Sequence, residues 1–82
     1  MAGLVRTKLS NYYLIGAGKI NEAIEIFKLN VIEFPESANV YDSLGEAFMK
    51  NGDNKLAIKN YEESLKLNPN NENAIKMLKE LK

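Results

Sequence analysis

Residues 38–71 read ANVYDSLGEAFMKNGDNKLAIKNYEESLKLNPNN, and this stretch decides the fold. Tyr41, Leu44, Gly45 and Phe48 recur at helical spacing and make one stripe of apolar and small residues. Asn51-Gly52-Asp53 interrupts the stripe, where Gly52 can take the positive φ that ends a helix. Ala57, Ile58, Tyr61 and Leu65 then form a second stripe. Pro69 closes the unit because proline lacks the amide hydrogen a continuing helix would donate. The stretch predicts a helix, a tight turn and a second helix.

The same pattern stands upstream. Gly18 recurs as Gly52, Ala23-Ile24 as Ala57-Ile58, Phe27 as Tyr61 and Pro35 as Pro69, each pair 34 residues apart. A fixed period of this size marks a repeat architecture. Ser37 and Asn71, two residues beyond the prolines, are predicted N-caps. Downstream, Ala74, Ile75, Leu78 and Leu81 make a last amphipathic helix, with Lys76, Lys79 and Lys82 placed as a helix C-terminus favours. The predicted helices are 4–16, 20–33, 38–50, 54–67 and 72–81. They make one all-α domain over 4–82: unit one 4–37, unit two 38–71 and a capping helix 72–81, with residues 1–3 read as an appended leader.

At these residues the chain resembles the tetratricopeptide repeat family, whose 34-residue unit is helix, turn, helix and whose units stack into an α-α superhelix. Tyr41, Leu44, Gly45, Phe48, Ala57, Tyr61 and Pro69 fall on the family's pattern, with Ser64 at a small-residue position. Gly45 and Ala57 would let two helices approach closely while larger residues fill either side. Unit one keeps Gly18, Ala23, Phe27 and Pro35 but carries Ser10-Asn11 where unit two has Leu44-Gly45. Burying Asn11 in a close-packing position would cost about 1–3 kcal/mol, so the first helix is expected to tilt or leave this end partly open. More narrowly, the strings at 22–30 and 39–46 look like the tetratricopeptide tails of some bacterial serine-hydrolase or penicillin-binding-like proteins. That resemblance implies an accessory C-terminal domain with the hydrolase chemistry outside it.

Composition narrows the chemistry. With 82 residues, 45% apolar and 27% charged, the chain has room for one domain with a modest core. Eleven basic and eleven acidic side chains cancel, and no basic stripe interleaves with aromatics, which argues against nucleic acid and anionic membranes as partners. The absence of cysteine and histidine removes disulfides, thiol nucleophiles, imidazole bases and the usual zinc ligands. The carboxylates at Glu62-Glu63 and Asp42/Glu46 lack companions for metal or acid–base work and read as solvated faces. Residues 51–54 have calcium-loop residue types without the loop's spacing and read as a turn. No enzyme activity, cofactor or metal is expected. Neither a signal-peptide pattern nor a membrane-length apolar run is present, giving a cytoplasmic assignment only by default.

The expected role is binding a protein or peptide. The family resemblance implies a concave groove lined by first helices, which here presents Lys8, Tyr12 and Ile15, then Asp42, Glu46 and Met49, then Lys76. Some members clamp a C-terminal carboxylate with lysine and asparagine; only Lys8 fits, and Tyr12 stands where asparagine would be. Asp42 and Glu46 at i, i+4 would favour a ligand with a lysine or arginine between apolar side chains, unless both are simply solvated. A second surface emerges from comparing the units: Ile26, Leu29 and Ile32 stand where unit two has Asn60, Glu63 and Lys66. This excess of apolar residues is covered either by the first helix or by a partner, a second copy or a parent domain.

Overall fold

The computed structural model describes residues 19–82, and among these every regular element is helical. The described residues form four helices: α1 (Ile20–Glu33), α2 (Ala38–Lys50), α3 (Asn54–Leu67) and α4 (Glu72–Leu81). Each coincides with a helix expected from the apolar spacing. The helix expected at 4–16, together with Gly18, lies outside the described residues.

Helices α2 and α3 pack most extensively, with α1 on α2 and α4 on α3, so each helix rests mainly on its neighbours in sequence, as in stacked repeats. Ala23, Ile24 and Phe27 of α1, Leu44, Ala47 and Phe48 of α2, Ala57 and Tyr61 of α3, and Ala74 and Leu78 of α4 form the core. Gly45 shows why the two helices of unit two can meet so closely. A Cβ at that position would lie 3.2 Å from Cγ, Cδ2 and Cε2 of Tyr61, so the missing side chain admits the buried ring against the α2 backbone. Glycine inside a helix costs about 0.5–1 kcal/mol relative to alanine, which the tyrosine burial offsets.

The α2–α3 turn matches its sequence reading in detail. Gly52 has φ +86°, its N–H donates to the Met49 carbonyl at 3.0 Å, and the Asp53 N–H donates to the Phe48 carbonyl at 2.9 Å. These two bonds form a Schellman motif, which satisfies carbonyls the helix end would leave orphaned. The two proline turns share another design. Phe34 and Asn68, each preceding proline, are pushed out of helical geometry, with φ −130° and −141°. Ser37 N–H donates to the Phe34 carbonyl and Asn71 N–H to the Asn68 carbonyl, both at 3.0 Å.

The two predicted N-caps behave differently. Asn71 caps α4, its side-chain oxygen accepting from the Ala74 N–H at 3.3 Å. Ser37 occupies the equivalent N-cap position of α2 but makes no side-chain capping bond; its backbone carbonyl instead accepts from Val40 N–H at 3.3 Å.

Candidate functional site

Of the groove residues expected from sequence, Lys8, Tyr12 and Ile15 lie outside the described residues. The others fall on α2 and α4. Asp42, Glu46 and Met49 are half-buried on α2, and Met49 packs against the core. Lys76 is exposed on α4, where it lines a shallow depression with Glu72, Ile75 and Lys79.

Asp42 and Glu46 share an environment but differ in what holds them. Both carboxylates act on Tyr61, whose phenol is pushed well above the ordinary tyrosine range, first by burial and then by the negative charge of Asp42 and of Glu46. Asp42, however, is already engaged within the chain. Its Oδ2 accepts from Asn71 Nδ2 at 2.8 Å, while Asn73 Nδ2 donates to its Oδ1 at 2.9 Å and its Oδ2 at 3.2 Å. Asn71 Nδ2 also donates to Ser64 Oγ at 2.8 Å, and the Ser64 hydroxyl donates to the Ala38 carbonyl at 2.8 Å. Ser64 is fully buried, so both roles of its hydroxyl are filled inside the protein. This network ties the N-terminus of α4 to both helices of the preceding pair.

The network escaped the sequence reading, which assigned Ser64 only as a small residue, Asn71 only as a cap, and Asn73 nothing. The signals were a hydroxyl on the apolar stripe of α3 and an asparagine at the helix start. Tyr41 shows a similar addition: its hydroxyl donates to the Pro35 carbonyl at 3.0 Å.

The second candidate surface lies on α1. Leu29 is 61% exposed and Ile32 73%, with Phe34 exposed just beyond the helix and Ile26 half-buried. The three matching positions of α3 carry Asn60, Glu63 and Lys66, with Leu56 and Leu67 exposed on the same helix. Asn60 Nδ2 donates to the Leu56 carbonyl at 2.8 Å, and Glu63 pairs with Lys66 at 3.7 Å. Equivalent positions in two units thus meet solvent with opposite chemistry. Among the described residues no cluster of acidic side chains could hold a metal ion, and no helix is long and apolar enough to cross a membrane.

Comparison with known proteins bears on the central pair. Residues 38–71 match the model of the tetratricopeptide repeat family. No curated protein matches the sequence, and the narrower likeness to hydrolase tails gains no support. The matched residues are α2, its glycine turn, α3 and the second proline turn through Asn71. Register, helix pair and family match therefore agree on a tetratricopeptide repeat at 38–71, a unit that generally mediates protein–protein interaction.

Proposed function

We propose that this chain is a protein-interaction module whose main docking surface is the outer face of α1, with Leu29 and Ile32 as its centre and Ile26 and Phe34 at its edge. The exposure of Leu29 and Ile32, against the polar Glu63 and Lys66 at the matching positions of α3, carries this reading. Paired apolar side chains left in water at one unit and replaced by charges at the other mark a surface that gains from being covered. Light scattering across a concentration series tests who covers it. A dimer that Leu29→Glu with Ile32→Glu dissolves identifies a second copy, and a strict monomer makes the occupant another protein. Substitutions at such exposed positions change stability by only about 0.5 kcal/mol, so a lost complex would not reflect unfolding.

The groove is the second surface. Glu46, Met49 and Lys76, with Lys8, Tyr12 and Ile15, would line it, and Glu46 is the carboxylate offered to a lysine or arginine of a bound peptide. Asp42, engaged by Asn71 and Asn73, supports the groove by fixing α4 rather than by reading the ligand. Peptides selected from a displayed library should lose affinity on Glu46→Lys; unchanged affinity removes the groove from the account. The alternative role, an accessory domain of a larger bacterial hydrolase, would use the α1 face against its parent domain and rests on sequence resemblance alone.

A further inference from the structure

We propose that Asn51-Gly52 is a covalent modification site, at which the asparagine amide converts without an enzyme to aspartate and isoaspartate, gated by the last turn of α2. The backbone nitrogen of Gly52 attacks Cγ of Asn51 and forms a five-membered succinimide. The Cγ–Nδ2 bond breaks, and Nδ2 leaves as ammonia with the proton lost from the Gly52 nitrogen. Water then adds to either ring carbonyl and reopens the ring. One opening gives aspartate; the other gives isoaspartate, whose main chain runs through the former side chain. Nothing is oxidised or reduced.

Three observations point to this residue. Asn51 is the only asparagine in the sequence followed by glycine, and a glycine nitrogen has no neighbouring side chain to hinder its approach. Both residues are exposed, and apart from its chain neighbours no heavy atom lies within 4 Å of where a Gly52 Cβ would sit, so no packed group crowds the turn. Other asparagines are held differently. Asn60 is bonded within α3, Asn71 belongs to the network with Asp42 and Ser64, and Asn68 precedes Pro69, whose nitrogen carries no hydrogen.

The gate is also visible. The attacking nitrogen is occupied while its N–H donates to the Met49 carbonyl, and Asn51 Nδ2 donates to Asp53 Oδ2 at 2.8 Å. Ring closure therefore requires the end of α2 to fray, an opening that helix termini undergo well below the cost of global unfolding. Its products alter the turn. Aspartate sets a second carboxylate beside Asp53 and at the negative end of the α2 dipole. Isoaspartate adds a backbone methylene just before the Gly52 nitrogen, inside the loops that both bonds of the Schellman motif close, and loosens the α2–α3 pair.

The whole chain, aged at mildly alkaline pH with and without urea, tests the proposal. Trypsin releases Asn51–Lys55, and fragmentation separates Asn51 from Asn54. The amide-to-acid mass gain should accumulate at Asn51 several-fold faster than at any other asparagine, with methyl labelling by a protein isoaspartyl methyltransferase, and urea should accelerate it. Asn51→Gln should remain unlabelled. A folded chain in which Asn51 only keeps pace with the other asparagines overturns the assignment, and an unchanged rate in urea overturns the gate.

Discussion

The turns at Phe34–Ser37 and Asn68–Asn71 share one backbone and differ in their side chains. Both follow a helix, place proline second and close with a 3.0 Å bond. At the second, Asn71 caps the next helix and joins Asp42, Asn73 and Ser64 in a network across three helices. At the first, Ser37 makes no capping bond through its side chain. A repeat register thus fixes where the chain turns, while one or two polar residues decide whether the turn also locks neighbouring helices together. A second asymmetry accompanies this one: α1 exposes Leu29 and Ile32 where α3 has Glu63 and Lys66.

Substitutions at Asn71 and at its counterpart Ser37 should have unequal effects. Asn71→Ala removes a helix cap and the donor shared by Asp42 and Ser64, and should cost about 2–4 kcal/mol in denaturant unfolding. Ser37→Ala should change stability by no more than about 0.5 kcal/mol. Comparable losses at both positions would show that the network adds nothing to the proline turn. Asp42→Asn keeps the shape of the acceptor but removes its charge; a loss of about 1–2 kcal/mol is expected in the same assay, because bonds to ionised acceptors are the stronger kind.

Alkaline titration separates the units next. Tyr61 keeps its proton in the folded protein beyond the pH at which an unfolded tyrosine releases it. Folding then retains a proton that unfolding sheds, so this contribution is complete below about pH 10 and declines as pH rises further. Tyr61→Phe should flatten that decline in thermal melts taken across the alkaline range. The matching residue of unit one, Phe27, cannot ionise, so the effect belongs to the α2–α3 pair. The smallest effect is expected from Ser37→Asn, within about 0.5 kcal/mol, since Lys8 stands in the sequence where Asp42 would be needed to complete a second network.

Much of this architecture was legible in the sequence, for local reasons. Apolar spacing fixed the four described helices, proline fixed where α1 and α3 stop, and Gly52 announced the left-handed turn it makes. Comparing residues one period apart singled out Ile26, Leu29 and Ile32 as positions without a common environment, but it left open whether the first helix or a partner covers them. Leu29 and Ile32 are exposed, and Ile26 is partly covered. The network stayed hidden because it depends on distances between residues remote in the chain. Asp42 meets Asn71 and Asn73 only once α4 has packed, and nothing local distinguishes it from the Glu46 carboxylate one turn away. Ser37 and Asn71 looked alike as caps because both residue types can cap, whereas the outcome depends on where the side chain finds its other partners.

The role assigned to α1 is tested most directly by site-specific photo-crosslinking in the native cell, with the photoreactive residue at position 29 or, as its matched control, at position 63. A discrete adduct is expected from position 29, with a second copy or with another protein, and none from position 63. No adduct from position 29, or equal adducts from both, would contradict that role.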